Sequence, residues 1–207
     1  MHKKVKVEKI IIEIYAKGRI KYIMKIKNSL LKLHNRISGL STFKLIILMF
    51  LLIQLVGIFV LPLHRLYPIE PVYPKIMVER YDMSTLNNLI GIIYRTGIIT
   101  PIIETLVAQT FVIRLIWMWT RIFFKEDGFW ANFIPIIISA LVFGFGHLGA
   151  FNSYVKVLST FLGGLILAYT YIVAYYSNKK ASLCVMCVHS LQNIYTIAIN
   201  YFVLYLV

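Results

Sequence analysis

A small set of polar side chains lies in the apolar part of this sequence. Glu104 is the only carboxylate within residues 83–125. His147 and His189 occur in later apolar segments, and Asn193 follows His189 by four residues. An ionised side chain at membrane depth is costly unless it faces a partner or a wet cavity. We therefore expect these four side chains to meet in one intramembrane site, where they have the groups needed for acid–base chemistry.

The segments that hold these residues are long and apolar. Hydrophobic residues make up 59% of the 207 residues, charged residues make up 14%, and the mean hydropathy is +0.77. This composition is typical of an integral membrane protein rather than a soluble globule. Most of the apolar runs approach the roughly 20 residues of a spanning helix. The runs cover residues 45–63, 98–119, 134–148, 157–176 and 181–207.

The sequence thus predicts an all-α fold, a polytopic transmembrane helical bundle of five or six spans. The sixth candidate is the stretch 86–99, whose polar interruptions suit a span, a re-entrant piece or an interfacial helix equally well. We divide the chain into a basic arm at 1–44, a first transmembrane helix with its extramembrane loop at 45–85, and an intramembrane core at 86–207.

The N-terminal arm is strongly basic. Residues 1–44 carry 12 of the 22 Lys and Arg residues and only two carboxylates. Their alternation with apolar residues predicts a basic amphipathic helix lying on anionic membrane lipids, or a flank that only sets topology, and both interpretations stay open. The positive-inside rule places the N-terminus in the cytoplasm. No recognisable nucleic-acid-binding module accompanies the arm, so we expect no nucleic-acid partner.

Two local patterns bear on the site. Thr100 and Pro101 are typical of a helix start, which would put Glu104 in the first turns, near the positive end of the helix dipole. His189 and Asn193 are spaced to lie one turn apart on a single helical face. The first pattern favours an ionised base, and the second supplies two hydrogen-bonding groups that act side by side.

The order of three short motifs gives a more specific indication. They are Pro-x-x-Glu at 101–104, Phe-x-x-x-His at 143–147 and His-x-x-x-Asn at 189–193. Their order and spacing resemble the CAAX-protease and bacteriocin-processing family, also called Abi, of intramembrane endopeptidases. The resemblance covers about residues 86–207.

This resemblance implies an intramembrane glutamic protease without a cofactor, acting on a peptide or lipidated peptide. In that family the first glutamate, here Glu104, is the catalytic base. With His147 it would activate a water molecule, while His189 and Asn193 would donate hydrogen bonds to the oxyanion. The family's substrates include lipidated tails and leader, pheromone or bacteriocin precursors. The short chain, rich in Ile, Lys and Asn, favours a bacterial cytoplasmic membrane.

The chain departs from the family in its first motif, which is usually Glu-Glu-x-x-x-Arg. Here Thr105 stands at the second acid and Gln109 at the arginine. The departure motivates an alternative from another class, a non-catalytic relative that acts as a bacteriocin self-immunity or membrane scaffold protein. A small transporter with a proton relay is a third hypothesis, and no motif favours it.

A zinc site made by Glu104, His147 and His189 is the alternative to the metal-free mechanism. It is the weaker one because no His-Glu-x-x-His pair places ligands and base on one helix. Cys184 and Cys187 lie within an apolar segment, where cysteine packs as a small hydrophobic residue, and we exclude them from the site. Three tryptophans are expected to lie at the membrane boundaries; they are Trp117, Trp119 and Trp130.

Overall fold

The computed structural model describes residues 25, 28–66, 85–124, 128–148 and 154–205, and within these residues every regular element is helical. The chain forms two compact units, Met1–Leu40 and Ser41–Val207. The first unit contains helix α1 at residues 28–38, most of whose side chains are exposed. The greater part of the predicted basic arm lies outside the described residues.

The second unit contains five helices that are long and apolar enough to cross a membrane. Large apolar side chains are exposed along all five, as expected for surfaces that face lipid. The prediction of an all-α, polytopic helical bundle is therefore confirmed, with five spans among the described residues. The helices are α2 (Thr42–Leu66), α3 (Leu86–Phe123), α4 (Phe129–Gly146), α5 (Tyr154–Tyr176) and α6 (Ala181–Tyr205).

The candidate sixth span is the beginning of α3. The stretch 86–99 and the predicted span 98–119 form one helix of 38 residues. This helix starts after Thr85, whose hydroxyl accepts a hydrogen bond from the Asn88 backbone N–H at 3.3 Å and so caps the first turn. The polar residues near its start are thus part of a helix terminus, where free backbone groups need partners.

Helix α3 is not a regular α-helix. Two π-helical segments, Ile93–Ile99 and Thr105–Phe111, flank a single α-helical stretch, Thr100–Glu104. Pro101 explains the first of them, because a proline has no N–H and its ring clashes with the carbonyl four residues earlier in an α-helix. A π turn widens the backbone there, and the Thr100 N–H bonds to the Arg95 carbonyl, five residues back.

This geometry corrects the predicted helix start. Thr100 does begin an α-helical stretch, but the residue before it is already helical, with φ −67° and ψ −47°. Glu104 therefore lies in the interior of α3 rather than in its first turns, so the carboxylate is not at the positive end of the α3 dipole. The proline fits the interior because of the π turn that precedes it.

Helices α4 and α5 form the most extensive helix pair, and two glycines bring them together. A Cβ atom on Gly164 would lie 3.1 Å from the Cα of Ala140, and one on Gly144 would lie 3.2 Å from the backbone N of Phe161. Small residues at such crossings let the backbones of membrane helices approach closely. The contact fixes the end of α4, from which His147 projects.

Helix α2 joins the bundle through a polar contact with α6. The side-chain amide of Gln54 donates a hydrogen bond to Gln192 Oε1, and the Gln192 amide in turn reaches Thr196 Oγ1 at 3.5 Å. An amide in a membrane helix needs a partner because lipid supplies none. These contacts hold α2 against the helix that carries His189.

Candidate active site

Three helices bring Glu104, His147 and His189 together. Glu104 ends the short α-helical stretch of α3, His147 follows the last residue of α4, and His189 lies on α6. One carboxylate oxygen, Oε1, is 4.0 Å from His147 Nε2, and the other, Oε2, is 3.4 Å from His189 Nε2. The carboxylate is thus placed between the two imidazoles, with 31% of the Glu104 side chain still exposed.

His147 has a defined ring orientation. Its Nδ1 is 2.8 Å from the carbonyl oxygen of Phe143, one turn earlier. A carbonyl only accepts hydrogen bonds, so Nδ1 carries the proton in this contact. In the neutral ring, Nε2 then presents a lone pair on the side of Glu104. The Phe143 ring also packs against the imidazole, with centroids 4.9 Å apart.

His189 is almost completely buried and is held on three sides. Its Nε2 approaches Glu104, and its Nδ1 is 3.4 Å from the Thr105 hydroxyl oxygen. The Phe143 ring meets the imidazole edge to face, with a centroid distance of 5.3 Å. Phe143 therefore contacts both histidines and fixes the width of the site.

Asn193 lies one turn after His189 and is anchored to α3. Its Nδ2 donates a hydrogen bond of 2.9 Å to the carbonyl oxygen of Thr96, in the first π-helical segment. This contact depends on a close approach of α6 to that segment, since a Cβ on Gly97 would lie only 2.8 Å from Ile194 Cγ1. The amide has a second N–H, which the Thr96 contact does not use.

Comparison with known families assigns the part of the chain that holds this site to a family. The family model of the type II CAAX prenyl endopeptidase Rce1-like proteins matches residues 86–195, just over half of the chain. The chain belongs to this family. No curated protein and no solved structure matches it.

The Rce1-like match includes all four predicted site residues and also the two positions at which the chain departs from the family's first motif. It confirms the resemblance that the motifs indicated. A CAAX-type membrane-protease family and five apolar helices together make the protein an integral membrane protein.

The two departures in this Rce1-like chain are buried and have partners in other helices. Thr105 is completely buried and contacts His189, as described above. Gln109 is also completely buried, and its Oε1 lies 2.7 Å from the hydroxyl of Ser139 on α4. That hydroxyl is 2.7 Å from the Ala108 carbonyl as well. The sequence identified both positions as departures, but it could not identify their partners.

The Gln109 amide and the Ser139 hydroxyl cannot make all of these bonds at once in one orientation. The hydroxyl has a single proton, and the Gln109 Nε2 atom is buried with no hydrogen-bond partner among the described residues. If Ser139 donates to the Ala108 carbonyl, an amide turned by 180° would donate Nε2–H to the hydroxyl instead. In either orientation one polar atom of Gln109 is left unpaired inside the bundle.

Sequence reasoning missed Lys156, in the first turn of α5. Its ammonium group interacts electrostatically with the Glu104 carboxylate. The one sequence signal was a lysine immediately before the predicted apolar run 157–176. Lys156 adds a cation to a site in which Glu104 is the only acid of the described helices α3 to α6.

The zinc alternative would draw its ligands from Glu104, His147 and His189. Among the described residues, no three His, Cys, Asp or Glu side chains are grouped so that they hold a metal ion. Cys184 is buried, Cys187 is half-buried, and both are free thiols. The groups that the described helices bring to the site are the carboxylate, the two imidazoles and the residues that orient them.

Proposed function

We propose that this protein is an intramembrane endopeptidase that hydrolyses membrane-presented peptides with a water molecule activated by Glu104. One observation carries the proposal: a carboxylate lies between two imidazoles inside an apolar bundle, 4.0 Å from His147 Nε2 and 3.4 Å from His189 Nε2. An ionisable residue in a membrane helix is most often functional. Membership of the Rce1-like family supports the same activity.

The distance between Glu104 and His147 suits a bridging water. At 4.0 Å the two atoms are too far apart for a direct hydrogen bond. A water oxygen about 2.8 Å from each of them spans this separation. Both Glu104 Oε1 and His147 Nε2 accept hydrogen bonds, so such a water directs both protons at the protein. Its lone pairs then face a peptide carbonyl on the open side.

Hydrolysis then proceeds without a covalent enzyme intermediate. The water oxygen bonds to the carbonyl carbon, the carbonyl π electrons move to oxygen, and Glu104 takes the proton. His189 Nε2–H and the second N–H of Asn193 stabilise the oxyanion. As the oxyanion collapses, the carbon–nitrogen bond breaks and protonated Glu104 returns the proton to the leaving amine. Lys156 balances the negative charge of the site throughout.

The proposed substrates are peptides presented at a membrane, either a lipidated tail or a leader, pheromone or bacteriocin precursor. A substrate held by membrane lipids suits a site whose Glu104 side chain is 31% exposed in a bundle of membrane helices. We propose a bacterial cytoplasmic membrane as the location, with the basic N-terminus in the cytoplasm on the basis of its charge.

The test is cleavage of lipidated and leader-bearing peptides by the purified protein in nanodiscs. Glu104→Gln keeps the size of the side chain and removes the base, and we expect a loss of at least about 100-fold in kcat/KM. Arg95→Gln, an exposed change on the same helix, is the matched control and should cleave normally. Cleavage is expected to survive a chelator; loss in the chelator would establish a metal mechanism instead.

A second candidate function, self-immunity or scaffolding without catalysis, is motivated by the changes at Thr105 and Gln109. It predicts that Glu104→Ala and His147→Ala leave the biological phenotype intact while the protein still accumulates. The protease proposal predicts that both variants lose the phenotype. The same pair of variants thus separates the two functions in cells.

A further inference from the structure

Thr105 stands where the family's first motif has its second acid, and its hydroxyl meets a catalytic-site histidine. The residue is completely buried in the second π-helical segment of α3. Its Oγ1 is 3.4 Å from His189 Nδ1. The contact joins residues 84 positions apart in the chain, so it exists only because α3 packs against α6.

The two neighbours of His189 define where its proton is. Nε2 is 3.4 Å from Glu104 Oε2, and an ionised carboxylate can only accept a hydrogen bond. Nε2 therefore carries the proton in this contact. In a neutral imidazole, Nδ1 then has a lone pair, and it needs a donor. The Thr105 hydroxyl is a group that can donate to it.

A carboxylate at position 105 would impose a different protonation state on the His189 ring. It accepts hydrogen bonds and has no proton to give, so Nδ1 would have to carry a proton. The ring would then become an imidazolium between two carboxylates, or it would turn its lone pair toward Glu104. A hydroxyl avoids both outcomes, and it does so without placing a second charge in a site where the His189 side chain is only 6% exposed.

We propose that Thr105 is a positioning residue that holds His189 as the neutral tautomer with its proton on Nε2. His189 then serves as a hydrogen-bond donor toward Glu104 and, in the proposed hydrolysis on which this consequence rests, toward the oxyanion. The ionisable groups around the ring are Glu104 from α3, His147 from α4 and, through Glu104, Lys156 from α5. The departure from the family motif therefore replaces a hydrogen-bond acceptor by a donor rather than removing a site.

The tautomer can be measured without any substrate. Protein labelled with ¹⁵N in its histidine rings is reconstituted in nanodiscs, and the His189 signals are assigned by comparison with His189→Gln. A protonated and an unprotonated ring nitrogen differ widely in ¹⁵N chemical shift. We expect a protonated Nε2 and an unprotonated Nδ1 in the natural protein and in Thr105→Ser, which retains the hydroxyl. Thr105→Val replaces the hydroxyl by a methyl group, so Nδ1 loses the donor that stabilises its lone pair, and a second tautomer should be populated.

Two results would overturn the proposal: a protonated Nδ1 in the natural protein, or a Thr105→Val spectrum identical to the natural one. The protonation of Nδ1 in the natural protein tests the proposal even if Thr105→Val does not fold. Neither depends on peptide cleavage, so a failed protease proposal leaves this measurement valid. If cleavage is found, Thr105→Val should lower kcat about 10-fold to 100-fold, as loss of an imidazole's orienting partner does at metal sites, and Thr105→Ser should restore it.

Discussion

The two parts of helix α3 differ although they belong to one continuous helix. Residues 86–111 alternate between α and π geometry and carry Glu104, Thr105 and the Thr96 carbonyl that binds Asn193. Val112–Phe123 is a regular α-helix built around Trp117. The first part supplies polar groups to the site and packs mainly against α6, and the second part packs against α4 and α5.

The regular part packs around the Trp117 indole. Trp117 is 3% exposed, donates its indole N–H to Asn132 at 3.1 Å and has the Arg121 guanidinium over its ring at 4.7 Å. Its ring is 4.8 Å from that of Tyr175, centroid to centroid. The Trp117 indole thus packs inside the bundle between α3, α4 and α5.

The irregular part holds the polar side chains at and behind the site. Glu104 remains partly exposed, and Gln109 retains an unpaired buried amide atom. π-helical turns are common at functional sites because they shift side chains and free backbone carbonyls. The comparison indicates that the polar groups of the site lie in the first part of α3, which packs mainly against α6, while the second part anchors the helix to α4 and α5. Four substitutions can break or sharpen this separation.

Trp117→Ala should have the largest effect on stability. It removes a buried ring, a hydrogen bond and a cation–π contact, and we expect a loss of about 3–5 kcal/mol in the free energy of unfolding. Trp119→Ala, two residues away and 56% exposed, is the matched control and should change little. Thermal unfolding in one detergent measures both. Equal losses in the two variants would show that the second part of α3 is not anchored by Trp117.

Gly97→Val tests the contact that holds Asn193. The new side chain would collide with Ile194 Cγ1, so the Ile194 side chain, or α6 with it, must shift away from the first π-helical segment. We expect a destabilisation of about 2 kcal/mol and a fall in cleavage per folded molecule of about 100-fold, since small displacements of catalytic groups are costly. In Gly91→Val the added Cβ meets no atom within 4 Å, so this control should retain cleavage. Normal cleavage by Gly97→Val would remove Asn193 from the mechanism.

Ser139→Ala tests the buried polar contact behind the site. Without the hydroxyl, the Gln109 side chain loses its partner in a dry environment, and we expect a cost of about 1.5 kcal/mol. Ser182→Ala removes a hydroxyl that is only part-buried and accepts from Thr110 at 3.0 Å, so its cost should be smaller. Adding Gln109→Leu to Ser139→Ala should recover part of the loss. A double variant less stable than Ser139→Ala would contradict this account.

Arg114→Gln should have the smallest effect. Its guanidinium is exposed apart from the Nε bond to the Tyr171 hydroxyl at 2.9 Å. A single exposed hydrogen bond of this kind contributes less than about 1 kcal/mol. Chemical denaturation and peptide cleavage should both stay close to the natural values. A large loss of cleavage would place the functional part of α3 beyond residue 111.

Much of the fold and part of the candidate site could be predicted from the sequence, because few backbone structures and no unpartnered polar groups are stable in lipid. Five apolar runs must be helices, since no other open structure satisfies its backbone in a membrane. The convergence of Glu104 with His147 and His189 could be anticipated for the same reason, as polar groups in apolar segments need partners. The wrong helix start at Thr100 came from Pro101, which suits either a first turn or a helix interior preceded by a π turn.

The sequence by itself determined the helices, the membrane location, the family and the residues available for chemistry, because these depend on composition and on spacing within single segments. Only the tertiary structure decided which hydrogen bonds those residues make. Asn193 bonds to the Thr96 carbonyl, Thr105 to His189, and Gln109 to Ser139, and each pair joins different helices. Such pairs depend on the rotation and close approach of packed helices, which the π turns and Gly97 set and which no local pattern encodes.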